Sequence, residues 1–445
     1  MATLCSLVSN DFLQGSTVVR KLGAGTYGSV YLVRTKTGQE YAVKYMGAGN
    51  GLPPEALLDV DALVRLRHDP DIIHLIGVCY DRTGIANIAI ILEAMDSNLS
   101  AFIKTTPDQI RAEIFPRLFR SLARVASLLE TLNISHFDIK PQNILVKGQG
   151  RSAQFKVTDF GLSRALYLSR RPPLHEVFTI WYRPPEFLVR RDRTSFNITA
   201  GDIWSIGLTL VEFVTGAPLF PGRNSYIVLE RIYTQVFIVQ NPSLKISFVD
   251  FLRRLQDGTI TGRVEIVDPR IAPGLQTLLS RMLSLNPRDR PSGTEILSYF
   301  HLRIASDHLL TLLDVEAPRQ IDSDSIDLLL QTASSLRLSR ATQVVAIELF
   351  TRYLSMTSSS IDLPSYALAA LWIAAKYNED LVISVSQVGG PIVIEFERLL
   401  LQAVGYQIYN SNLTAVIQRI YQRNLDPATY LATHFANRLD DWFMT

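Results

Sequence analysis

Residues 17–46 constrain the fold more than any other stretch of this 445-residue chain. The segments TVVRKLGAG, GSVYLVRT and QEYAVKYM alternate with the period of two that strands require, and the turn Lys36-Thr37-Gly38 separates the second from the third. Between the first two, Gly23-Ala24-Gly25-Thr26-Tyr27-Gly28-Ser29-Val30 spaces its glycines as G-x-G-x-x-G-x-V. Glycines let a backbone approach phosphate groups and offer N–H groups to them. A glycine-rich turn between strands is usually only a turn. Here a strand, not a helix, follows the glycines, which disfavours a dinucleotide-binding βαβ unit. Lys44, in Tyr41-Ala42-Val43-Lys44, lies fourteen residues after Val30. A lysine at a strand end is normally a solvated charge; in this register it can instead meet phosphates.

Further along, residues 53–67 begin with proline and space Leu57, Val60, Leu63 and Val64 as a helix does. A strand is expected over 88–94, and from about 98 to 302 the pattern is mainly helical. A mostly β lobe followed by a mostly α lobe makes this part α+β. The character shifts near 303–320, where Glu316-Ala317-Pro318 reads as linker. Helical periods return at 325–335, 341–355, 364–378, 391–404 and 412–422, so the remainder is all-α. The segment PSYALAALWIAAKY is apolar nearly all round and should be the buried central helix of a bundle.

Hydrophobic residues make up 47% and charged residues 19%, which excludes a largely disordered chain. The net charge of +2 gives no reason to expect charge-driven nucleic-acid binding. It hides a split: residues 1–302 hold 34 basic and 27 acidic residues (net +7), and 303–445 hold 10 and 15 (net −5). Lys376 is the sole lysine of the acidic part. Two cysteines, Cys5 and Cys79, are too few for a disulfide scaffold and point to a reducing compartment. MATLCSLVSN lacks the basic start of a signal peptide, and no apolar run approaches the ~18 residues of a membrane span. An intracellular protein, cytoplasmic or nuclear, is expected.

Five more motifs follow the glycine turn and Lys44. They are His136-Phe137-Asp138-Ile139-Lys140-Pro141-Gln142-Asn143, Asp159-Phe160-Gly161, Trp181-Tyr182-Arg183-Pro184-Pro185-Glu186, Gly201-Asp202-Ile203-Trp204-Ser205 and Asn286-Pro287-Arg288-Asp289-Arg290. In this order and spacing the set resembles a eukaryotic-type protein kinase over about residues 16–302. The resemblance implies ATP and Mg²⁺. Asp159 and Asn143 would hold the metal, Asp138 would accept the substrate hydroxyl's proton, Lys140 would meet the transferring phosphate, and Thr179 would orient both. Gly23, Gly25 and Gly28 would cradle the phosphates with Lys44. Leu22, Val30, Ala42 and Leu145 would sandwich adenine, the backbone of Glu93 and Met95 would meet its edge, and Leu92 would lie behind. Glu186 and Arg290 resemble the family's structural ion pair.

Finer features resemble the cyclin-dependent group: GAGTYGSV, TIWYRPPE, and the helix Pro53-Pro54-Glu55-Ala56-Leu57-Leu58-Asp59 where that group carries its cyclin-binding helix. Residues 326–404 resemble a cyclin box. AALWIAAKYNED and FERLLLQAVGYQIY carry Lys376 and Glu397, whose counterparts in cyclins grip the kinase helix; each is otherwise an ordinary helix charge. Thr351 stands where cyclins usually have an aspartate. The expected architecture is an N-terminal extension (1–15), a bilobal kinase domain (16–302, lobes about 16–95 and 96–302), a linker (303–321) and an all-α cyclin-like domain (322–445).

Three departures matter. The family's His-Arg-Asp reads His136-Phe137-Asp138, its activation-segment phosphothreonine falls on Leu174, and the arginine before the helix glutamate is Leu58; only Arg164 remains of the phosphate clamp. An apolar contact of Phe137, Leu174 and Leu58 would replace it, making the protein independent of that phosphorylation. The helix glutamate is Asp59, one methylene shorter, and Glu55 is the alternative partner of Lys44. Phe178 and Arg183 would shape the substrate groove, with preference for Ser/Thr followed by Pro. Thr26 and Tyr27 stand where relatives carry inhibitory phosphorylation, or merely fill the loop. The leading expectation is a monomeric Ser/Thr kinase activated in cis by its cyclin-like domain. A pseudokinase–cyclin scaffold is the alternative, which Phe137 and Asp59 favour and the retained Lys44, Asp138, Asn143 and Asp159 oppose.

Overall fold

Antiparallel pairing of the period-two runs builds the first layer. The computed structural model describes residues 15–25, 28–47, 53–80, 87–165, 179–189, 199–302, 323–356, 362–379, 384–390 and 392–404. Thr26, Tyr27, Leu174, Phe178 and the helix expected at 412–422 lie outside them. Strands β1 (Thr17–Gly25), β2 (Gly28–Arg34), β3 (Glu40–Gly47), β4 (Leu75–Tyr80) and β5 (Asn87–Glu93) form one sheet in the order β1-β2-β3-β5-β4. The register sets Val30 opposite Lys44, and Ala42 opposite both Leu32 and Leu92. Cross-strand partners share a face, so Val30, Ala42 and Lys44 line one side of the sheet. Val33, Val43, Cys79, Ala89 and Ile91 form a small apolar cluster on the other. Gly28 is required by this packing. A Cβ there would lie 2.0 Å from the Tyr45 carbonyl oxygen of β3.

Helix α1 (Pro54–Leu66) crosses between β3 and β4, with proline in its first turn, where a missing N–H costs nothing. Its periodicity implied one apolar face. Instead every residue from Ala56 to Leu66 is buried, including Asp59, Asp61 and Arg65. The helix is enclosed on both sides, by the five-stranded sheet through β4 and by the C-terminal bundle.

Short strands β6 (Ser97–Asn98), β8 (Ile144–Lys147) and β9 (Gln154–Val157) form a second sheet, and β7 (Ile134–Ser135) pairs with β10 (Arg164–Ala165). The lower lobe is otherwise helical: α2 (Leu99–Thr105), α3 (Asp108–Thr131), α4 (Pro185–Val189), α5 (Thr199–Thr215), α6 (Ser225–Tyr233), α7 (Phe248–Asp257), α8 (Pro273–Met282) and α9 (Gly293–Ser298). Helix α5 is buried from Ala200 to Val214 and packs against α3 and α8. Beside it Arg290 forms a bidentate pair with Glu186, both bonds 2.7 Å, and covers the Trp204 ring. Such a pair inside the lobe fixes the position of α4 and has no part in the cleft.

The C-terminal bundle comprises α10 (Ser323–Ser335), α11 (Arg340–Met356), α12 (Leu363–Asn378), α13 (Val385–Val388) and α14 (Ile392–Ala403). As its composition requires, α12 is central. It is buried almost throughout and packs against the other four and against α1. Among the described residues no helix is long and apolar enough to cross a membrane.

Candidate active site

Asp138 is the centre of the polar groups below the sheet. Its Oδ1 accepts the Thr179 backbone N–H (3.0 Å) and hydroxyl (2.8 Å). Its Oδ2 accepts Lys140 Nζ (2.6 Å) and Asn143 Nδ2 (3.0 Å). Lys140 also donates to Thr179 Oγ1 at 2.7 Å, closing a ring in which each donor and acceptor is matched. Asn143 comes from the tight turn Pro141–Asn143 and donates again to the Asp138 carbonyl at 2.9 Å. Its amide nitrogen is thereby engaged twice, and Oδ1 is the atom left for a ligand.

The loop carrying Asp138 is held from below. Asp202, fully enclosed in α5, accepts Ser135 Oγ (2.6 Å) and the backbone N–H groups of His136 (2.7 Å) and Phe137 (3.0 Å). Burial pushes its carboxyl above the usual range, and these donors act against that. Phe137, with φ 66°, adopts the left-handed backbone that a bulky residue rarely visits without support. Its side chain is 1% exposed. His136 Nδ1 accepts the Asp138 N–H at 3.2 Å, so the ring proton sits on Nε2 and is donated to Thr158 O at 3.1 Å. The sequence places Asp202 in a motif but assigns it no role. The signal available was an acid inside an otherwise apolar helix.

Above this cluster, Lys44 Nζ reaches Asp59 Oδ2 (2.7 Å) and Asp159 Oδ1 (2.9 Å). Burial works to lower the Lys44 pKa, but the two carboxylates outweigh it and hold it above its ordinary value. Enclosure likewise works to raise Asp159, and the Lys44 ammonium more than reverses this, leaving its carboxyl below the usual range. Asp59 Oδ1 accepts the Phe160 N–H at 2.9 Å. One short carboxylate therefore ties the sheet lysine to the Asp-Phe-Gly turn. Glu55, a turn earlier, faces that turn with its backbone: a Cβ on Gly161 would stand 3.4 Å from the Glu55 carbonyl oxygen. Phe160 is fully buried, its ring 4.7 Å from that of His136.

Between the two groups, Val30, Leu22 and Leu145 are partly buried against the core, and Ala42, Leu92 and Met95 are buried. Glu93 ends β5, its N–H bonded to His74 O at 3.1 Å. A Cβ on Gly23 would meet nothing within 4 Å, so the glycine turn opens onto free space. Gly25 pairs with Gly28 at the tip of the hairpin. Arg183 is half-buried at the lower side. Asp159 Oδ2 and Asn143 Oδ1 supply hard oxygen donors of the kind Mg²⁺ takes, one of them anionic, so the residues present fit that ion.

In the C-terminal bundle Lys376 and Glu397 are joined to each other at 2.7 Å, the glutamate buried and the lysine partly so. The resemblance to a cyclin box implied that each grips the α1 helix, with an ordinary helix charge as the alternative. A contact that crosses to α1 is made by the residue next to Lys376: Tyr377 Oη donates to Asp61 Oδ2 at 3.0 Å. The chain length of tyrosine and the acid buried in an apolar helix were the only available signals.

The chain belongs to the protein kinase family: residues 16–301 match the protein kinase domain. Residues 314–409 match the cyclin N-terminal domain, so a kinase and a cyclin domain follow one another in one chain. A similar solved structure is that of the CAK complex from Chaetomium thermophilum bound to ATP-gamma-S. It is 26% identical, covers 64% of this chain and 89% of that one, and has a TM-score of 0.49.

Proposed function

We propose that this protein is an ATP-dependent Ser/Thr kinase of cyclin-dependent type, activated in cis by its own cyclin-like domain and independent of activation-segment phosphorylation. One observation carries the reading. The helix that Tyr377 reaches, α1, also supplies Asp59, which joins Lys44 to the Asp-Phe-Gly turn. Phosphoryl transfer depends on positioning and on charge neutralisation, so a helix that aligns the lysine and the metal-binding turn controls the rate.

In this reading Gly23, Gly25, Gly28 and Lys44 receive the phosphates. Leu22, Val30, Ala42 and Leu145 enclose adenine, and the backbone of Glu93 and Met95 meets its edge, with Leu92 behind. Asp159 and Asn143 take Mg²⁺, which when bound neutralises charge on the phosphates. Asp138 accepts the hydroxyl proton of a protein Ser or Thr, Lys140 stands by the transferring phosphate, and Thr179 holds both in register. Arg183 favours a substrate with proline after the Ser/Thr. The domain limits are those of the expected architecture, and the functional unit is a single chain inside the cell.

The test is phosphotransfer from ATP and Mg²⁺ to a Ser/Thr peptide library by the unphosphorylated full chain. Asp138→Asn is expected to lose about 10²-fold or more, the usual contribution of a positioned base. Equal rates for the two proteins would overturn the reading and favour a pseudokinase–cyclin scaffold.

A further inference from the structure

Charged side chains are rare where two apolar surfaces meet, yet five polar groups converge where α1 meets the C-terminal bundle. From α1 come Asp61, 2% exposed, and Arg65, 8% exposed, an i,i+4 pair at 3.9 Å. From α11 come Glu348 and Arg352, paired with one another, the arginine 3% exposed. From α12 comes Tyr377, whose hydroxyl donates to Asp61. Burial pushes the Glu348 carboxyl up, Arg352 opposes this, and the Asp61 carboxylate adds to the upward push across the interface. The Tyr377–Asp61 hydrogen bond joins the two sides within this buried polar setting.

A buried carboxylate is costly unless donors meet it, so a partner that presents the wrong residue is rejected more strongly than the right one is attracted. We propose that the Asp61–Tyr377 hydrogen bond is a specificity-determining contact by which the kinase part recognises its own cyclin-like domain. A helical domain with an apolar residue in place of Tyr377 would bury Asp61 without this donor. The inference rests on reading residues 323–404 as the activator, and goes beyond it by naming the contact that selects that activator.

The test uses the full chain and reads hydrogen exchange of the α1 amides together with phosphotransfer. Tyr377→Phe removes only the hydroxyl. It is expected to speed α1 exchange by about tenfold or more and to lower turnover in parallel, the usual consequence of taking one hydrogen bond from a buried carboxylate. Asp61→Ser removes the demand for the donor, because a helical serine can bond the carbonyl four residues back. Adding Asp61→Ser to Tyr377→Phe is expected to bring exchange to within about threefold of Asp61→Ser alone, a coupling that simple loss of packing would not produce. Unchanged α1 exchange in Tyr377→Phe, or a double variant as labile as Tyr377→Phe, overturns the inference. If the wild type shows no phosphotransfer at all, the kinase reading fails while the exchange result still decides the docking contact.

Discussion

Asp59 shows how one side chain sets the geometry of the cleft. Aspartate is too short to span the gap a glutamate bridges, so α1 lies close enough for its backbone at Glu55 to face Gly161. That proximity lets the same carboxylate take Lys44 with one oxygen and the Phe160 N–H with the other. Bonds to charged groups contribute about 1.5–3 kcal/mol each. Asp59→Ala should therefore lower turnover by about ten- to a hundredfold, and Glu55→Ala should leave it within about threefold of wild type. Steady-state kinetics of the two variants checks this; the reverse ranking would mean that Glu55 is the partner.

At the scale of elements, the bundle is organised by α12. Lys376 on α12 and Glu397 on α14 face each other inside it, with the ammonium 4.6 Å from the Trp372 ring. Burial pushes the Lys376 pKa down and the glutamate opposes it, so each charge depends on the other. Removing one partner strands the other. Glu397→Gln should cost about 3–5 kcal/mol of stability, whereas Lys376→Met with Glu397→Leu should cost much less, because no unpaired charge remains. Chemical denaturation of the three proteins measures both. Equal losses in the single and double variants would show that the pair is not what joins these helices.

On the scale of the whole molecule, a protein kinase domain and a cyclin N-terminal domain share one chain. A tether makes docking intramolecular, with effective concentrations of roughly millimolar for short linkers, so under the proposed function α1 would need no separate subunit to hold it. The opposite net charges of the two parts, +7 and −5, are compatible with this. Phe137 and Leu58 are each 1% exposed, at two positions where the resemblance to the cyclin-dependent group leads one to expect arginines. A phosphate acts by adding charge that arginines can pair, and here two of those arginines are missing. Phosphatase-treated protein expressed in bacteria should keep turnover within about threefold of the untreated protein. A dead protein that an activating kinase revives would contradict this.

The strands at 17–46, the order of polar motifs and the apolar central helix were legible in the chain because each rests on local periodicity or on residue types at short spacing. The same holds for the cluster of Asp138, Lys140 and Asn143, which lie within six residues of one another. Long-range choices were not legible. Whether Lys44 takes Asp59 or Glu55 depends on how close α1 packs, and whether Lys376 faces the kinase or Glu397 depends on how α12 is rotated in its bundle. Asp202 and Asp61 are unremarkable acids until the fold buries one beneath the catalytic loop and the other at the domain interface. Sequence alone determined the family of the chain, since its motifs are particular side chains at short spacing. Tertiary structure decided which of those side chains meet, because distance and desolvation, not residue identity, set the partner of a buried charge.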